Sequence, residues 1–263
     1  MASSGSNRRE QLRALQEAQA RQRRNRRIIG IVAAAVAVVL VFVVGYVAVT
    51  SMSSNNSTSN SQVAPNATES KDGIVMNPGK AKQGVPTIDV YLDYQCPICR
   101  VFEARLAPTL LQLADAGDIK LVNHTMTFMD DNMKNTASSR AAYAATCADS
   151  FGAYSAFNTA VFEHQQAQEI PGSVGYEDSL LRQTIPTAVG ISGDNLAKFQ
   201  QCYDQRSTKT FVDGIDQAAY KNGVTGTPTI KRNGQVLRVI PQPLQDGTPA
   251  TTPDQMRQMA LNG

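Results

Sequence analysis

The sequence predicts an α/β domain in which a mixed central sheet has helices on both of its faces. Three observations support this prediction. A strand-like run, a helix-like run and a second strand-like run follow one another between residues 85 and 128. An alanine-rich, helix-like region then extends over about residues 130–222, and two short apolar runs and a last helix follow it. We therefore expect four or five strands, with a helical insertion between the two halves of the sheet.

The first half of the domain is predicted from hydrophobic patterning. The apolar run from Val85 to Leu92 has the length of a buried strand. The run from Arg100 to Ala116 has apolar residues at helical spacing, and we expect Pro108 to kink this helix and Gly117 to end it. The run from Ile119 to Phe128 predicts the second strand.

The second half is predicted mainly from turn and capping residues. Proline and glycine interrupt the helix-like region, so we expect three to five short helices there. Asn233-Gly234 lies between two apolar runs, which is a strong signal for a β-hairpin. Thr252-Pro253-Asp254 combines a cap, a first-turn proline and an acid, and predicts a last helix that ends near Leu261.

The N-terminal tail, residues 1–27, is strongly basic. It contains eight arginines against two glutamates, whereas the net charge of the whole chain is only +3. The basic character therefore belongs to this tail and not to the domain. We expect the tail to lie in the cytoplasm and to bind no nucleic acid, because the apolar stretch that follows explains the arginines better.

Residues 28–49 contain no charged side chain and are almost entirely apolar. A helix needs about 20 such residues to cross the hydrocarbon core of a bilayer. The arginines before this stretch predict that the tail stays inside the cell and that everything after Thr50 is exported. We expect a retained, single-pass signal-anchor in the cell membrane. A cleaved signal peptide is the alternative, although its apolar core is usually only about 7–15 residues long.

Residues 50–72 are rich in Ser, Asn and Thr and contain little that could be buried, so they are predicted to form a flexible linker. The folded domain is then expected to span residues 73–263, with its helical insertion at about residues 130–222. Disulfides are compatible with the exported location that the apolar segment predicts.

The motif Cys96-Pro97-Ile98-Cys99 lies between the first predicted strand and the helix that follows it. At the start of a helix, unpaired backbone N–H groups and the positive end of the helix dipole favour a thiolate over a thiol. The thiolate is the reactive species in disulfide exchange. This position therefore predicts a redox-active pair, in which the second cysteine can close a small ring with the first.

Two other roles for this motif are weaker. A four-thiolate zinc site would also need Cys147 and Cys202, which do not form a second C-x-x-C, and the two histidines of the chain lack zinc spacing. We therefore expect no metal. A purely structural disulfide between Cys96 and Cys99 would close a short, strained loop that is easily reduced, which suits a redox couple better than a staple.

The segment Asp93-Tyr94-Gln95-Cys96-Pro97-Ile98-Cys99 resembles the active-site segment of DsbA-like thiol–disulfide oxidoreductases of the thioredoxin superfamily. The segment Gly223-Val224-Thr225-Gly226-Thr227-Pro228-Thr229 resembles the second signature of that family, a loop with a cis-proline. The resemblance covers about residues 84–261. It implies a thioredoxin fold with an inserted helical domain, here in a membrane-anchored bacterial protein.

The resemblance also implies a role for each residue of the first motif. Cys96 is expected to be the exposed nucleophilic cysteine, and Cys99 the resolving cysteine. Pro97 and Ile98 are expected to be the intervening dipeptide that tunes the redox potential.

In the second motif, Pro228 is expected to be the cis-proline, and Thr227 to present backbone groups to an extended substrate strand. One departure from the family concerns a buried acid that many relatives have six residues before the first cysteine, where this chain has Val90. Asp89 is expected to lie on the other face of the strand. The resolving thiol would then exchange its proton with water or with Asp93, although a turn or cap is the more ordinary role for Asp93.

Two cysteines, Cys147 and Cys202, remain when Cys96 and Cys99 are taken as the redox pair. Each lies on a helix-like run of the insertion. We expect a structural disulfide between them, which would stabilise the fold by roughly 3–4 kcal/mol in the chain-entropy description. Two free buried thiols are the alternative.

Together these features predict a membrane-tethered, extracytoplasmic thiol–disulfide oxidoreductase, foremost an oxidase that introduces disulfides into exported proteins. The family implies two kinds of partner, unfolded or reduced exported proteins and a quinone-linked membrane protein of the DsbB or vitamin K epoxide reductase type that reoxidises the pair. No cofactor bound to this chain is expected. The alternatives are a reductase or isomerase of the same fold, for example in cytochrome maturation, and a non-enzymatic tethered binding domain.

Overall fold

The computed structural model describes residues 61–168 and 170–262. A five-stranded mixed sheet lies at the centre of these residues, in the order β1-β3-β2-β4-β5. Strands β2 and β3 are parallel, and the other neighbours are antiparallel. The predicted mixed sheet is therefore confirmed. The strands are β1 (Ile74–Val75), β2 (Thr87–Asp93), β3 (Lys120–Met126), β4 (Thr229–Arg232) and β5 (Gln235–Val236).

The helices cover both faces of the sheet and build the insertion. In chain order they are α1 (Pro97–Arg105), α2 (Ala107–Asp115), α3 (Met129–Met133), α4 (Ala137–Asp149), α5 (Tyr154–Glu163), a π-helical turn (Leu180–Thr184) that continues into α6 (Ile185–Ala188), α7 (Gly193–Asp204), α8 (Lys209–Lys221) and α9 (Pro253–Asn262). The insertion region thus contains six helices among the described residues, and the expectation of three to five was wrong.

The two faces of the sheet follow from the alternation of side chains along β2. Ile88 and Leu92 point into the main core, where they pack in one cluster with residues of α1, α2 and α9. Tyr91 points to the opposite face and packs with Met126 of β3 and Ala219 of α8. The last helix of the insertion region therefore serves as a layer of the sheet.

The single helix predicted from Arg100 to Ala116 is two helices that meet at Leu106. The first helix begins earlier than predicted, at Pro97, because proline suits the first turn of a helix. Pro108 lies in the first turn of α2, where its missing N–H costs no hydrogen bond, so it helps to start a helix and does not kink one. Gly117, with a φ of 75°, follows the end of α2 as predicted.

Two local predictions of the second half are confirmed. Asn233 and Gly234 have φ values of 50° and 82°, as the tight turn of the β4–β5 hairpin requires. At the start of α9, the hydroxyl of Thr252 accepts the N–H of Gln255 (3.2 Å), and Gln255 Oε1 accepts the N–H of Thr252 (2.8 Å). This reciprocal pair is a capping box.

Residues 61–75, which we call the N-terminal strap, are part of the folded body. The N–H of Gln62 donates to the Ser207 carbonyl (2.8 Å). The N–H and Nδ2 of Asn66 donate to the two carboxylate oxygens of Asp149, both at 2.8 Å. The flexible linker predicted over residues 50–72 is therefore wrong for residues 61–72, because specific polar contacts hold them despite their low apolar content.

The other N-terminal predictions concern residues outside the described part of the chain. These are the basic tail (1–27), the membrane segment (28–49) and the first part of the linker (50–60). Between residues 61 and 262, leaving out residue 169, no helix combines the length and the apolar character that crossing a bilayer requires.

A disulfide joins Cys147 of α4 to Cys202 of α7, with an S–S distance of 1.98 Å and a Cα–Cα distance of 6.0 Å. This is the pairing that the sequence led us to expect. It ties together two helices of the insertion through cysteines that are 55 residues apart in the chain.

The double substitution Cys147→Ala/Cys202→Ala should lower the free energy of unfolding by about 3–4 kcal/mol, because the unfolded chain regains the entropy of the open loop. Urea unfolding under non-reducing conditions, followed by circular dichroism, measures this change. Val236→Ala, at an exposed position of β5, is the control and should change the value by less than about 0.5 kcal/mol. A double variant as stable as the wild type would contradict the prediction.

Candidate active site

Cys96 and Cys99 lie where β2 ends and α1 begins. Cys96 is the N-cap residue of α1, with extended backbone angles (φ −71°, ψ 118°), and Pro97 is the first helical residue. The N–H of Cys96 donates to the carbonyl of Asp93 (3.0 Å), which closes the turn between strand and helix. The fold therefore places both sulfurs at the positive end of a helix and at the carboxyl end of a parallel strand, as the sequence predicted.

Both cysteines are free thiols, and both are buried. Cys96 is 7% exposed and Cys99 is 0% exposed. The expectation of an exposed Cys96 is thus corrected, although Cys96 remains the more accessible of the two. The reason is tertiary, since the carbonyl oxygen of Thr227 lies 3.4 Å from Cys96 Sγ and covers it.

The surroundings move the pKa values of the two thiols apart. The pKa of Cys96 is lowered from 9.0 to about 6, chiefly because the side chain of Cys99 hydrogen-bonds to its sulfur. Backbone hydrogen bonds from Ile98 and Cys99 lower this pKa further, against the effect of burial. Burial and the neighbouring Cys96 raise the pKa of Cys99 well above its usual value. At neutral pH the site therefore holds a thiolate at Cys96 and a thiol at Cys99.

The second sequence motif meets the first because the sheet brings them together. Strand β4 pairs with β2 so that Thr229 lies opposite Tyr91, close to the end of β2. The Thr227–Pro228 peptide bond just before β4 is cis. This loop places the Thr227 carbonyl within hydrogen-bonding distance of the Cys96 thiol.

Asp93 is a fully buried acid in the turn between β2 and α1, 0% exposed. Its carboxylate accepts hydrogen bonds from the hydroxyl of Ser138, the N–H of Gln95 (2.9 Å) and the N–H of Met129 (3.0 Å). Burial raises its pKa from 3.8 to about 7 in spite of these donors. A backbone hydrogen bond from Asp93 also reaches Cys99. Asp93 therefore holds the turn, as expected, and is also a carboxyl that exchanges its proton near neutral pH.

Neither the residue at the position of the family acid nor the acid next to it serves the thiols. Val90 is packed in the main core. Asp89 lies on the other face of the strand, as predicted, where its carboxylate is 2.9 Å from Nε2 of His124.

Sequence reasoning missed the role of Gln95, the residue before Cys96. Its Nε2 donates to Asp130 (3.0 Å), Asn135 (2.9 Å) and Ser138 (2.9 Å), and its Oε1 accepts from Asn135 Nδ2 (2.8 Å). These partners belong to the start of the insertion and lie 35 to 43 residues away in the chain. No local pattern marks such a contact, so only the fold could reveal it.

A second acid with a raised pKa, the half-buried Glu103 on α1, was also missed. Burial raises its pKa from 4.5 to about 7, and Asn158 Nδ2 donates to its carboxylate (3.3 Å). Within the described residues, no group of three or more His, Cys, Asp or Glu side chains is arranged to hold a metal ion.

A buried pair of unequal thiols at a helix start, facing a cis-proline loop on the next strand, defines a thioredoxin-like dithiol domain. The family model described as thioredoxin matches residues 73–256. The chain therefore belongs to the thioredoxin family. Comparison with the curated proteins finds no match.

Solved structures with a similar fold include three from bacteria. MdbA, a thiol–disulfide oxidoreductase from Actinomyces oris, is 20% identical, with a TM-score of 0.59 over 76% of this chain and 89% of its own. BdbD from Bacillus subtilis is 18% identical, with a TM-score of 0.56 over 76% and 97%. DsbA from Mycobacterium tuberculosis is 22% identical, with a TM-score of 0.52 over 72% and 99%. The chain thus has the fold of the DsbA-like proteins.

In the reduced protein, the rate of alkylation of Cys96 by iodoacetamide should rise with a midpoint near pH 6, because only the thiolate reacts. Cys99→Ala should move this midpoint towards 9.0, since it removes the donor to the Cys96 sulfur. Cys99→Ser keeps a donor and should give a smaller change. Mass spectrometry identifies the alkylated residue, and an unchanged midpoint in Cys99→Ala would contradict this account.

Asp93 should make the folded protein less stable as the pH rises from 3.8 to about 7, because folding raises its pKa across that window. In Asp93→Asn this loss should shrink by up to about 1.4 kcal/mol per pH unit. Urea unfolding across this range measures it, in a Cys96→Ala background that removes the titration of Cys96. Glu103→Gln is the comparison variant, and it should likewise reduce the loss of stability as the pH rises. Parallel stability curves with and without the Asp93→Asn substitution would exclude the assignment.

Proposed function

We propose that the protein is a membrane-tethered, extracytoplasmic thiol–disulfide oxidoreductase that introduces disulfides into exported proteins through Cys96 and Cys99. The observation that carries this proposal is the unequal pair of thiols, with the pKa of Cys96 at about 6 and that of Cys99 raised well above its usual value. Stabilising the thiolate stabilises the reduced enzyme, which makes its disulfide a stronger oxidant. This favours an oxidase over the reductase and isomerase alternatives.

In the oxidised enzyme, Cys96 and Cys99 form a disulfide. A substrate thiolate attacks the sulfur of Cys96, the Cys96–Cys99 bond breaks, and Cys99 leaves as a thiolate that takes up a proton. A second substrate thiolate then attacks the substrate sulfur of the mixed disulfide, and Cys96 leaves as a thiolate. Two substrate thiols become one disulfide, and two electrons pass to the enzyme pair.

The residues around the pair have separate roles in these steps. The lowered pKa of Cys96 makes it a good leaving group in the second step. The backbone of Thr227, beside Cys96, is placed to pair with an extended substrate segment. Asp93 has a pKa of about 7, which allows proton exchange at neutral pH. It replaces the family acid that is absent at Val90 and exchanges the proton that Cys99 gains or loses.

Repeated turnover as an oxidase needs an acceptor for the two electrons. We assign this part to a quinone-linked membrane protein of the DsbB or vitamin K epoxide reductase type. The charge-free segment 28–49 behind an arginine-rich tail supports a single-pass anchor with a cytoplasmic N-terminus. The disulfide between Cys147 and Cys202 supports an oxidising, extracytoplasmic location for the domain.

The redox potential of the Cys96–Cys99 pair should be about −120 mV, which is in the range of strong dithiol oxidants. Glutathione titration of the full-length protein in lipid nanodiscs, with thiol trapping and mass spectrometry, measures it. Cys96→Ser should abolish exchange, whereas the Cys147→Ala/Cys202→Ala variant should retain the couple. A potential of about −270 mV would indicate a reductase. If the pair shows no reversible redox couple, only the binding-domain alternative is left.

A further inference from the structure

The N-terminal strap is held by two different parts of the fold. Its second half, residues 67–75, belongs to the sheet. There Ala67 forms a bridge with Ile74, the N–H of Thr68 donates to the Gly73 carbonyl (2.9 Å), and β1 pairs with β3. Residues 62–66, which we call the docking segment, are held instead by the insertion. The two halves of the strap therefore depend on different contacts.

On one side, the docking segment is bound to the end of α4. The two donors of Asn66 bind the carboxylate of Asp149, which is the last residue of α4 and is 3% exposed. Gln62 Nε2 donates to the hydroxyl of Ser150 (3.2 Å), and the N–H of Ser150 donates to the carbonyl of Cys147 (3.3 Å). These partners of the docking segment thus lie two and three residues after the first cysteine of the disulfide.

On the other side, the docking segment is bound beyond the end of α7. The N–H of Gln62 donates to the Ser207 carbonyl, and the N–H of Ser207 donates to the carbonyl of Cys202 (3.0 Å). Gln62 Oε1 also lies 3.8 Å from Cys202 Sγ, which is a packing contact because a disulfide sulfur has no proton to donate. The docking segment and the disulfide therefore connect the same two helix ends.

The two sulfurs of the disulfide differ in accessibility. Cys147 is 0% exposed, whereas Cys202 is half-buried. A thiolate from solution therefore meets the disulfide on the side of Cys202, where Gln62 lies. The docking segment covers the side from which the disulfide can be attacked.

We propose that the docking segment and the Cys147–Cys202 disulfide form a redox-sensitive switch that is separate from the active site. While the disulfide is intact, it fixes the two helix ends, and the docking segment binds across them. Reduction releases the docking segment, whereas residues 67–75 stay in the sheet. This inference goes beyond the proposed function and does not depend on it.

The physical reason is that Gln62 must reach both helix ends at once. Its side chain binds Ser150 and its backbone binds Ser207, so both acceptors have to be held at a fixed separation. When the disulfide is broken, the two ends can move apart and the docking segment loses part of its hydrogen bonds. The remaining contacts then no longer offset the entropy that is lost on ordering the segment.

The reductant in this switch is a dithiol. One of its thiolates attacks the sulfur of Cys202, the Cys147–Cys202 bond breaks, and Cys147 leaves as a thiolate that takes up a proton. The second thiolate of the reductant attacks the reductant sulfur of the mixed disulfide, and Cys202 leaves as a thiolate that takes up a proton. The reductant becomes a disulfide, and two electrons pass to the cysteine pair.

Coupling between two sites is reciprocal, so docking must stabilise the disulfide by the factor by which the disulfide stabilises docking. Couplings of this kind usually amount to about 5–150-fold, and we expect about tenfold here. A docked segment therefore protects the disulfide of one copy from reactive thiolates, including the Cys96 thiolate of another copy.

The first experiment measures hydrogen exchange in full-length protein in lipid nanodiscs, by mass spectrometry that resolves single amides. In Cys147→Ala/Cys202→Ala, the amides of Gln62 and Asn66 should exchange about tenfold faster than in the wild type. The amide of Val75, which lies in β1, is the internal reference and should not change. The active-site pair is kept in the same oxidation state in both proteins. Wild type with this disulfide reduced by dithiothreitol should behave like the variant.

The second experiment measures the coupling in the opposite direction. Gln62→Ala/Asn66→Ala should make the Cys147–Cys202 disulfide about tenfold easier to reduce at equilibrium, a shift of about 30 mV. Titration with dithiothreitol, thiol trapping and mass spectrometry of the two cysteine peptides measure this shift. Gln62→Ala alone alters an exposed side chain and should give a smaller shift in the same direction.

Glu69→Ala is the matched control, because Glu69 is an exposed residue in the other half of the same strap. It should leave the redox equilibrium of the disulfide unchanged. Circular dichroism confirms that each variant is folded.

Three results would overturn the inference. The first is unchanged exchange at Gln62 and Asn66 when the disulfide is absent. The second is an unchanged redox equilibrium of the disulfide in Gln62→Ala/Asn66→Ala. The third is faster exchange at Val75 as well, since this would show that the whole domain loosens and that the docking segment is not released by itself.

Discussion

The hydrogen bond from the buried Cys99 side chain to the Cys96 sulfur is the interaction on which the candidate site depends. It is the largest contribution to the lowered pKa of Cys96, and it requires that Cys99 keep its own proton. Burial achieves the second condition, because a thiolate at Cys99 would lie in a fully enclosed place. The packing of α1 against the sheet is therefore as necessary for the lowered pKa of Cys96 as the two sulfur atoms are.

The rest of the domain can be understood as the support of this pair. Strand β2 delivers Cys96 to the start of α1, and β4 delivers the Thr227 carbonyl to the Cys96 sulfur. The insertion holds the turn from the other side through Gln95 and the hydroxyl of Ser138 on Asp93. The insertion is thus part of the site and more than an addition to the sheet.

Two predictions that depended only on neighbouring residues were confirmed, whereas the predicted linker failed because of contacts with distant residues. The Asn233-Gly234 turn and the Thr252 cap are correct because backbone angles and first-turn hydrogen bonds are set within four residues. The linker was placed too far along the chain because Asn66 is held by Asp149, 83 residues away. Composition records how much a segment can bury but not which polar groups will receive its hydrogen bonds.

The sequence by itself determined the strand–helix setting of Cys96 and Cys99, the loop of Thr227 and Pro228, and the mixed sheet, because motif spacing and periodicity are local properties. Only the tertiary structure decided that Cys96 is nearly buried, that Asp93 titrates near neutral pH, and that Gln95 joins the redox pair to the insertion. Burial and pKa are set by atoms that come from several elements of the fold. These atoms are far apart in the chain, so no local pattern contains them.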